Sequence, residues 1–257
     1  MQGITEYSKQ FENDYPFSYH TLLENEFSLE LNDIMGDYQG LFLDNLTKLE
    51  NTYNTLKDNT LYRSPENYYN FYKPVNRWIE KCLYKYYMMS LQIGGRQAFV
   101  DFNQNPGNFK PDVGDMKELS IEANLNAEGI YSGYKTLVLE KLKPSFEKDL
   151  EFSKFVEDVG SYKGFEKAFN PFKAFRPNTL QSVAELVVSG VSKFINRGRL
   201  NIYKATNKVS LFIYKTRNDE RVSTICRPWH NRVLKPDAIS GIIPQHKNCR
   251  CTIVPYF

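Results

Sequence analysis

The sequence predicts an α+β fold: an acidic helical N-terminal half, then a small basic α+β domain in which a helix packs on a short antiparallel sheet. Three observations predict it. Between residues 42 and 195 apolar side chains recur at spacings of three and four, the period of a helix. After Gly198 the pattern changes to short β-branched and aromatic runs. Charge divides at nearly the same place. Residues 196–257 hold twelve Lys and Arg against Asp219, Glu220 and Asp237, a net of +9. That leaves 21 basic and 27 acidic residues in 1–195, a net of −6.

Each element follows from local pattern. Phe42, Leu46, Leu49, Tyr53 and Leu56 form one helical stripe. Glu24, Glu26 and Glu30 read as the solvated face of a helix rather than an acid/base pair. Val75, Trp78, Ile79, Cys82, Tyr86, Met89 and Ile93 make a second stripe after Pro74, a good first-turn residue, with Gly94 and Gly95 expected to weaken or end it. Residues 101–115, rich in Asn, Gly, Pro and Asp, read as a loop. A third helix is expected from Met116 to about Leu142, on Leu119, Ala123, Ala127, Ile130 and Tyr134, before Pro144.

Asn178 offers an N-cap with Gln181 three residues on, and Leu180, Val183, Ala184, Val187, Val188, Val191 and Ile195 give that helix an apolar face that Gly198 is expected to close. LNIYKAT and KVSLFIYKT then read as a hairpin around Asn207 and Lys208, and RCTIVPY as a final strand. The expected organisation is a helical domain over 1–145 that provides the protein-interaction region, a linker with short helices over 146–177, and an α+β domain over 178–257.

Composition narrows the function classes. With 41% hydrophobic and 25% charged residues the chain is a folded protein, not a disordered one. The mean hydropathy of −0.53 and the lack of any apolar run near the ~20 residues of a membrane span argue against a membrane protein. The acidic, aromatic start does not resemble a Sec signal. Four Cys in 257 residues is no secreted disulfide framework, so synthesis in a reducing compartment is expected. Tyr and Phe, 18 of each, suit surfaces that are part apolar and part wet. Phosphate-binding glycine loops, HExxH and G-x-S-x-G are absent, so nothing points to an enzyme.

One constellation is specific. Cys226, His230, His246, Cys249 and Cys251 gather three of the four Cys and two of the three His near the C-terminus. Thiolate and imidazole together suit zinc, although C-x3-H followed by H-x2-C-x-C departs from the usual C-x2-C pairs. Cys249 and Cys251, two apart, face one side of a strand. Three readings fit: a core of buried Cys and hydrogen-bonded His, a zinc site, or a disulfide through Cys226 formed outside the cell. A catalytic Cys–His pair lacks an identifiable third group to orient the His.

The run D-E-R-V at 219–222, Cys226, Gly241 and the ending H-K-N-C-R-C at 246–251 resembles the C-terminal signature of the phage Mu F-type minor head proteins of tailed phages. Lys247 stands where that family has Pro, and the upstream pair ends in His230 rather than a nearby Cys. The resemblance covers the last third of the chain. It implies a virion protein of low copy number, assembled in the host cytoplasm and attached to the portal inside the head. There it would assist head assembly, DNA packaging or DNA ejection, without enzymatic residues. Asp219, Arg221, His246, Asn248 and Arg250 are expected to be structural, the Asp and Arg pairing bidentately and Asn248 fixing a turn. The competing readings are a zinc-stabilised DNA-binding module and a Cys/His hydrolase. In the first two readings the basic C-terminal domain would meet DNA through backbone phosphates, without sequence preference.

Overall fold

The computed structural model describes residues 17–48, 50–58, 73–160, 183–207, 209–217, 219–239, 242–246 and 248–257. Its described helices are α1 (Ser18–Thr47), α2 (Glu50–Asp58), α3 (Lys73–Asp101), α4 (Val113–Glu147), α5 (Phe152–Gly160), α6 (Val183–Thr206) and the short α7 (Pro236–Ile239), with single 3-10 turns at Pro106–Asn108 and Arg227–Trp229. Strands β1 (Leu211–Lys215), β2 (Val233–Leu234) and β3 (Thr252–Tyr256) form one antiparallel sheet in the order β2-β1-β3. The protein is therefore α+β and mostly helical.

Two compact units divide the chain. The first combines 17–28, 84–120 and 185–257; the second combines 29–83 and 121–184, apart from undescribed residues. The units interleave along the sequence and do not coincide with a division at 145 and 178. In the second unit Tyr53 is fully buried, its ring centroid 5.1 Å from Phe146, 5.2 Å from Phe152 and 5.0 Å from Phe155. Its hydroxyl donates to the Leu150 carbonyl (3.0 Å). Residues 146–160, expected as linker, thus contribute a packed helix and the aromatic nucleus of this unit. The rest of the expected linker, 161–177, and the expected cap at Asn178 and Gln181 lie outside the described residues.

The first unit is built on α3 and α6. Neither helix stops at its glycines. Gly94 sits in α3, which runs on to Asp101, and Gly198 sits in α6, which runs on to Thr206. Both are contact points: a Cβ on Gly94 would fall 1.9 Å from the Ile195 carbonyl oxygen, and one on Gly198 would fall 2.1 Å from that of Leu91. The intrinsic cost of a mid-helix glycine, ~1 kcal/mol, is offset by close packing of two backbones. The expected stripes are buried at Ile79, Cys82, Tyr86, Ile93, Val187, Val188, Val191 and Ile195.

The expected hairpin is not formed. LNIYKAT completes α6, because Tyr203 is buried against Phe102 and Phe212 and donates its hydroxyl to Asp101. Asn207, at φ 50°, ends the helix in the left-handed conformation that Asn tolerates. The loop expected over 101–115 is shorter, 102–112: Asp101 ends α3, and α4 begins at Val113 rather than Met116, with Asp112 Oδ1 capping it through the Asp115 N–H (2.7 Å). Helix α4 continues through Pro144 in its last turn, at the cost of the one i→i−4 backbone bond that Pro cannot donate. The 42–56 stripe is split between α1 and α2.

The inward residues of β1 serve two clusters. Phe212 joins Ala98, Tyr203, Val209, Ile239 and Ile253, which bind helices to sheet. Tyr214 joins Cys226, Cys249 and Cys251. Because Ala98 of α3 completes the first cluster and Gly94 of α3 abuts α6, residues 178–257 do not contain all of their own fold.

Gly94→Ala separates two effects of opposite sign. Helix propensity alone would stabilise by ~1 kcal/mol. The close crossing predicts instead a net loss of about 2 kcal/mol or more, read from the urea midpoint, since the obstructing atom is backbone.

Candidate metal centre

Two chain segments meet at the cysteine cluster. One is the turn-rich stretch after β1, where Asp219 Oδ1 accepts from the Arg221 N–H (3.1 Å) and the 3-10 turn at Arg227–Trp229 follows Cys226. The other is the stretch leading into β3. There the Cys249 N–H donates to the His246 carbonyl (3.2 Å), closing a turn with Asn248 at φ 62°. Asn tolerates this left-handed conformation better than most side chains, so Asn248 fixes the turn through its backbone. Its N–H donates to Ser189 Oγ (2.8 Å), which ties the turn to α6.

Arg250 joins the two segments. Its guanidinium, 7% exposed, donates twice to Asp219, Nη1 to Oδ2 and Nη2 to Oδ1, each at 2.7 Å. This is the bidentate geometry in which planar guanidinium matches carboxylate. Burial alone would raise the Asp219 carboxyl, but the hydrogen bonds and charge of Arg250 outweigh it and hold the carboxyl below its ordinary range. Arg221 itself is exposed and acts in the turn through its backbone.

The pairing brings Cys226, Cys249 and Cys251 together, all buried, with their sulfurs within 4.8 Å of one another. Cys226 Sγ lies 4.0 Å from Cys249 Sγ and 3.0 Å from His246 Nε2. No disulfide joins them. Sulfurs on a tetrahedral zinc with Zn–S near 2.3 Å are roughly 3.8 Å apart, so the thiols stand at the spacing a shared metal ion requires. His230 stands apart from this set: its Nδ1 accepts the Thr216 N–H (3.2 Å) and lies 2.8 Å from Thr216 Oγ1. Of the five expected ligands the structure groups the three cysteines, with His246 beside Cys226.

Of the three thiols, the surroundings favour the thiolate at Cys249. A hydrogen bond from Cys251 pulls the Cys249 thiol down to about 5 against the opposing effect of burial. The same bond, together with burial, pushes Cys251 up. Burial likewise raises Cys226, which accepts the buried Tyr214 hydroxyl at 3.5 Å. Thiolate is the form that binds metal, so an ion held at this spacing by all three would displace the protons of Cys226 and Cys251.

Several residues of this region were not singled out from the sequence. Tyr214 closes the inner wall of the cluster. Asn196 and Ser192 of α6 hold the Cys251 carbonyl, at 2.8 and 3.2 Å. Arg199, fully buried, donates to the Ile253 carbonyl (2.7 Å) and to Gln97 Oε1 (2.6 and 3.1 Å). Glu24 is buried rather than solvated, 4.0 Å from Arg217, whose guanidinium also donates to Thr21. Glu26 is exposed as expected.

No family model matches the chain, and neither a curated protein nor a solved structure shows significant similarity to it. Among the described residues no helix is long and apolar enough to cross a membrane.

Arg250→Met should cost about 1.5–2 kcal/mol at pH 7, the low end for a charged bidentate pair, because Asp219 keeps 38% of its side chain in solvent. The folded pKa of Asp219 is depressed, so the pair's contribution is full above the unfolded value near 4 and is lost as pH falls through the folded value. Urea unfolding of wild type and variant should show the gap at pH 7 and a clearly smaller one at acid pH.

Proposed function

We propose that this protein is a portal-associated minor head protein of a tailed phage, of the Mu F type, whose cysteine cluster is a structural zinc centre and not an active site. The carrying observation is the convergence of the signature: Asp219 and Arg250 pair across the two halves, and Cys226, Cys249 and Cys251 meet behind them. Three buried thiols with His246 as fourth donor make a Cys3His set, a common closed structural arrangement for zinc. Zinc there would cross-link two segments that otherwise share one ion pair and a small apolar cluster.

The Cys226–His246 contact at 3.0 Å also supports the hydrolase reading. Burial weighs against it, because it raises the Cys226 thiol, whereas a nucleophilic cysteine needs a lowered one.

Basic residues divide into two groups. Arg197 pairs with Asp115 and Glu118, Arg250 with Asp219 and Arg217 with Glu24, while Arg199 is buried. These stabilise the fold. Lys204, Arg221, Arg227, Arg232 and Lys235 are exposed. The second group supports a role facing packaged DNA, with weak, sequence-independent binding that falls steeply with salt. The helical part would provide the contact with the portal ring.

The full chain, purified without chelator, should contain about one zinc per molecule by mass spectrometry. Cys249→Ser should lose that zinc and lower the melting temperature. The wild-type chain should also co-sediment with portal rings. A metal-free protein whose stability ignores chelators would remove the zinc centre, and failure to bind portal rings or to appear in particles would remove the head-protein assignment.

A further inference from the structure

The geometry points to Asn196 as a positioning residue for the metal centre, acting through the backbone of Cys251. This inference rests on the zinc reading above. Asn196 lies in the middle of α6, is 2% exposed, and touches three successive residues at the start of β3. Its Nδ2 donates to the Cys251 carbonyl (2.8 Å) and to the Ser192 carbonyl of its own helix (2.8 Å). Its Oδ1 accepts the Thr252 hydroxyl (2.8 Å) and the Ile253 N–H (3.2 Å). The orientation of the amide is forced, because a carbonyl can only accept and a backbone N–H can only donate.

A side chain with four bonds and a fixed orientation does more than fill space. It fixes the rotation of the Cys251 peptide, and with it the direction in which the Cys251 Cβ leaves the strand. The Ser192 hydroxyl adds a second, longer bond to the same carbonyl (3.2 Å). Cys249 is tied to α6 one residue away, where the Asn248 N–H donates to Ser189 Oγ (2.8 Å), and among the described residues Cys226 has no such bond to α6. Cys251 is therefore the ligand whose own carbonyl α6 holds, and Asn196 supplies the shorter of its two bonds. Groups that orient metal ligands in this way typically alter affinity by 10–100-fold when changed.

The replacement Asn196→Asp keeps the shape and the acceptor for Thr252 and Ile253, and turns the donor facing the Cys251 carbonyl into an acceptor. Thr252→Val is the gentler variant, removing only one of the two hydrogen bonds that hold Asn196 Oδ1. Cobalt(II) titration of the full chain reads both affinity, by chelator competition, and ligand geometry, by the thiolate-to-cobalt charge-transfer and ligand-field bands. We expect Asn196→Asp to bind cobalt at least tenfold more weakly with altered bands, and Thr252→Val to show a smaller shift in the same direction. Arg199→Gln, which weakens the anchor at Ile253 without touching Cys251, should lower thermal stability while leaving the bands of the loaded protein unchanged. If wild type takes up no cobalt or zinc, the zinc reading falls and this inference with it. If wild type binds and folded Thr252→Val and Asn196→Asp both match it in affinity and spectrum, the zinc reading stands and the role of Asn196 is overturned. Should Asn196→Asp fail to fold, Thr252→Val decides alone by the same comparison.

Discussion

A strand at the edge of a sheet leaves alternate amides and carbonyls without a partner, and where that edge is buried something else must bond them. In this protein the demand falls on helix α6. Strand β3 pairs with β1 on one side only, while on its other side the Cys251 carbonyl and the Ile253 amide and carbonyl meet Ser192, Asn196 and Arg199. Pro255, further along β3, has no amide to satisfy. Polar side chains at 192, 196 and 199 thus replace a missing strand, and they do so from a helix whose adjacent face, at Ile195 and Gly198, is backbone-close to α3 at Gly94 and Leu91. The position of β3, and so of Cys251, is inherited from the α3–α6 crossing.

The cysteine cluster rests on that arrangement. Tyr214 projects from the central strand into it, the His246 turn is fastened to α6 through Ser189, and Arg250 reaches across to Asp219. Every side chain of the signature that lies among the described residues and is buried has a structural task visible in its bonds. The buried thiols have Tyr214, Gln245, His246 and one another as neighbours, an arrangement open both to metal ligands and to core cysteines. A metal ion would turn a set of weak sulfur contacts into strong cross-links between segments more than twenty residues apart.

The sequence made part of this legible. The helical stripes correspond to buried faces at 79–93 and 187–195, with Trp78 48% exposed, and the β-branched and aromatic runs at 211–215 and 252–256 correspond to strands, because those patterns are local. The glycines misled, since a glycine that ends a helix and one that admits a neighbouring backbone are the same residue in a one-dimensional string. LNIYKAT misled because its β-branched and aromatic content suits a strand, while burial of Tyr203 against Phe212 carries it as helix. The metal-centre residues were visible as a Cys/His cluster, but His230 and His246 could not be told apart, as their separation depends on the turn at 226–230 and on Thr216. The polar support of β3 left a trace as well: Ser192, Asn196 and Arg199 repeat at spacings of four and three on the buried face of α6, a polar stripe that has meaning only once a strand edge faces it.

The central claim is that three cysteines and one histidine form a single structural zinc site. X-ray absorption at the zinc edge on the metal-loaded full chain tests it most directly. The account predicts three sulfur neighbours near 2.3 Å and one nitrogen at about 2.0–2.1 Å, with no light-atom shell beyond that ligand. A first shell of oxygen and nitrogen alone, or of fewer sulfurs completed by water, would contradict it.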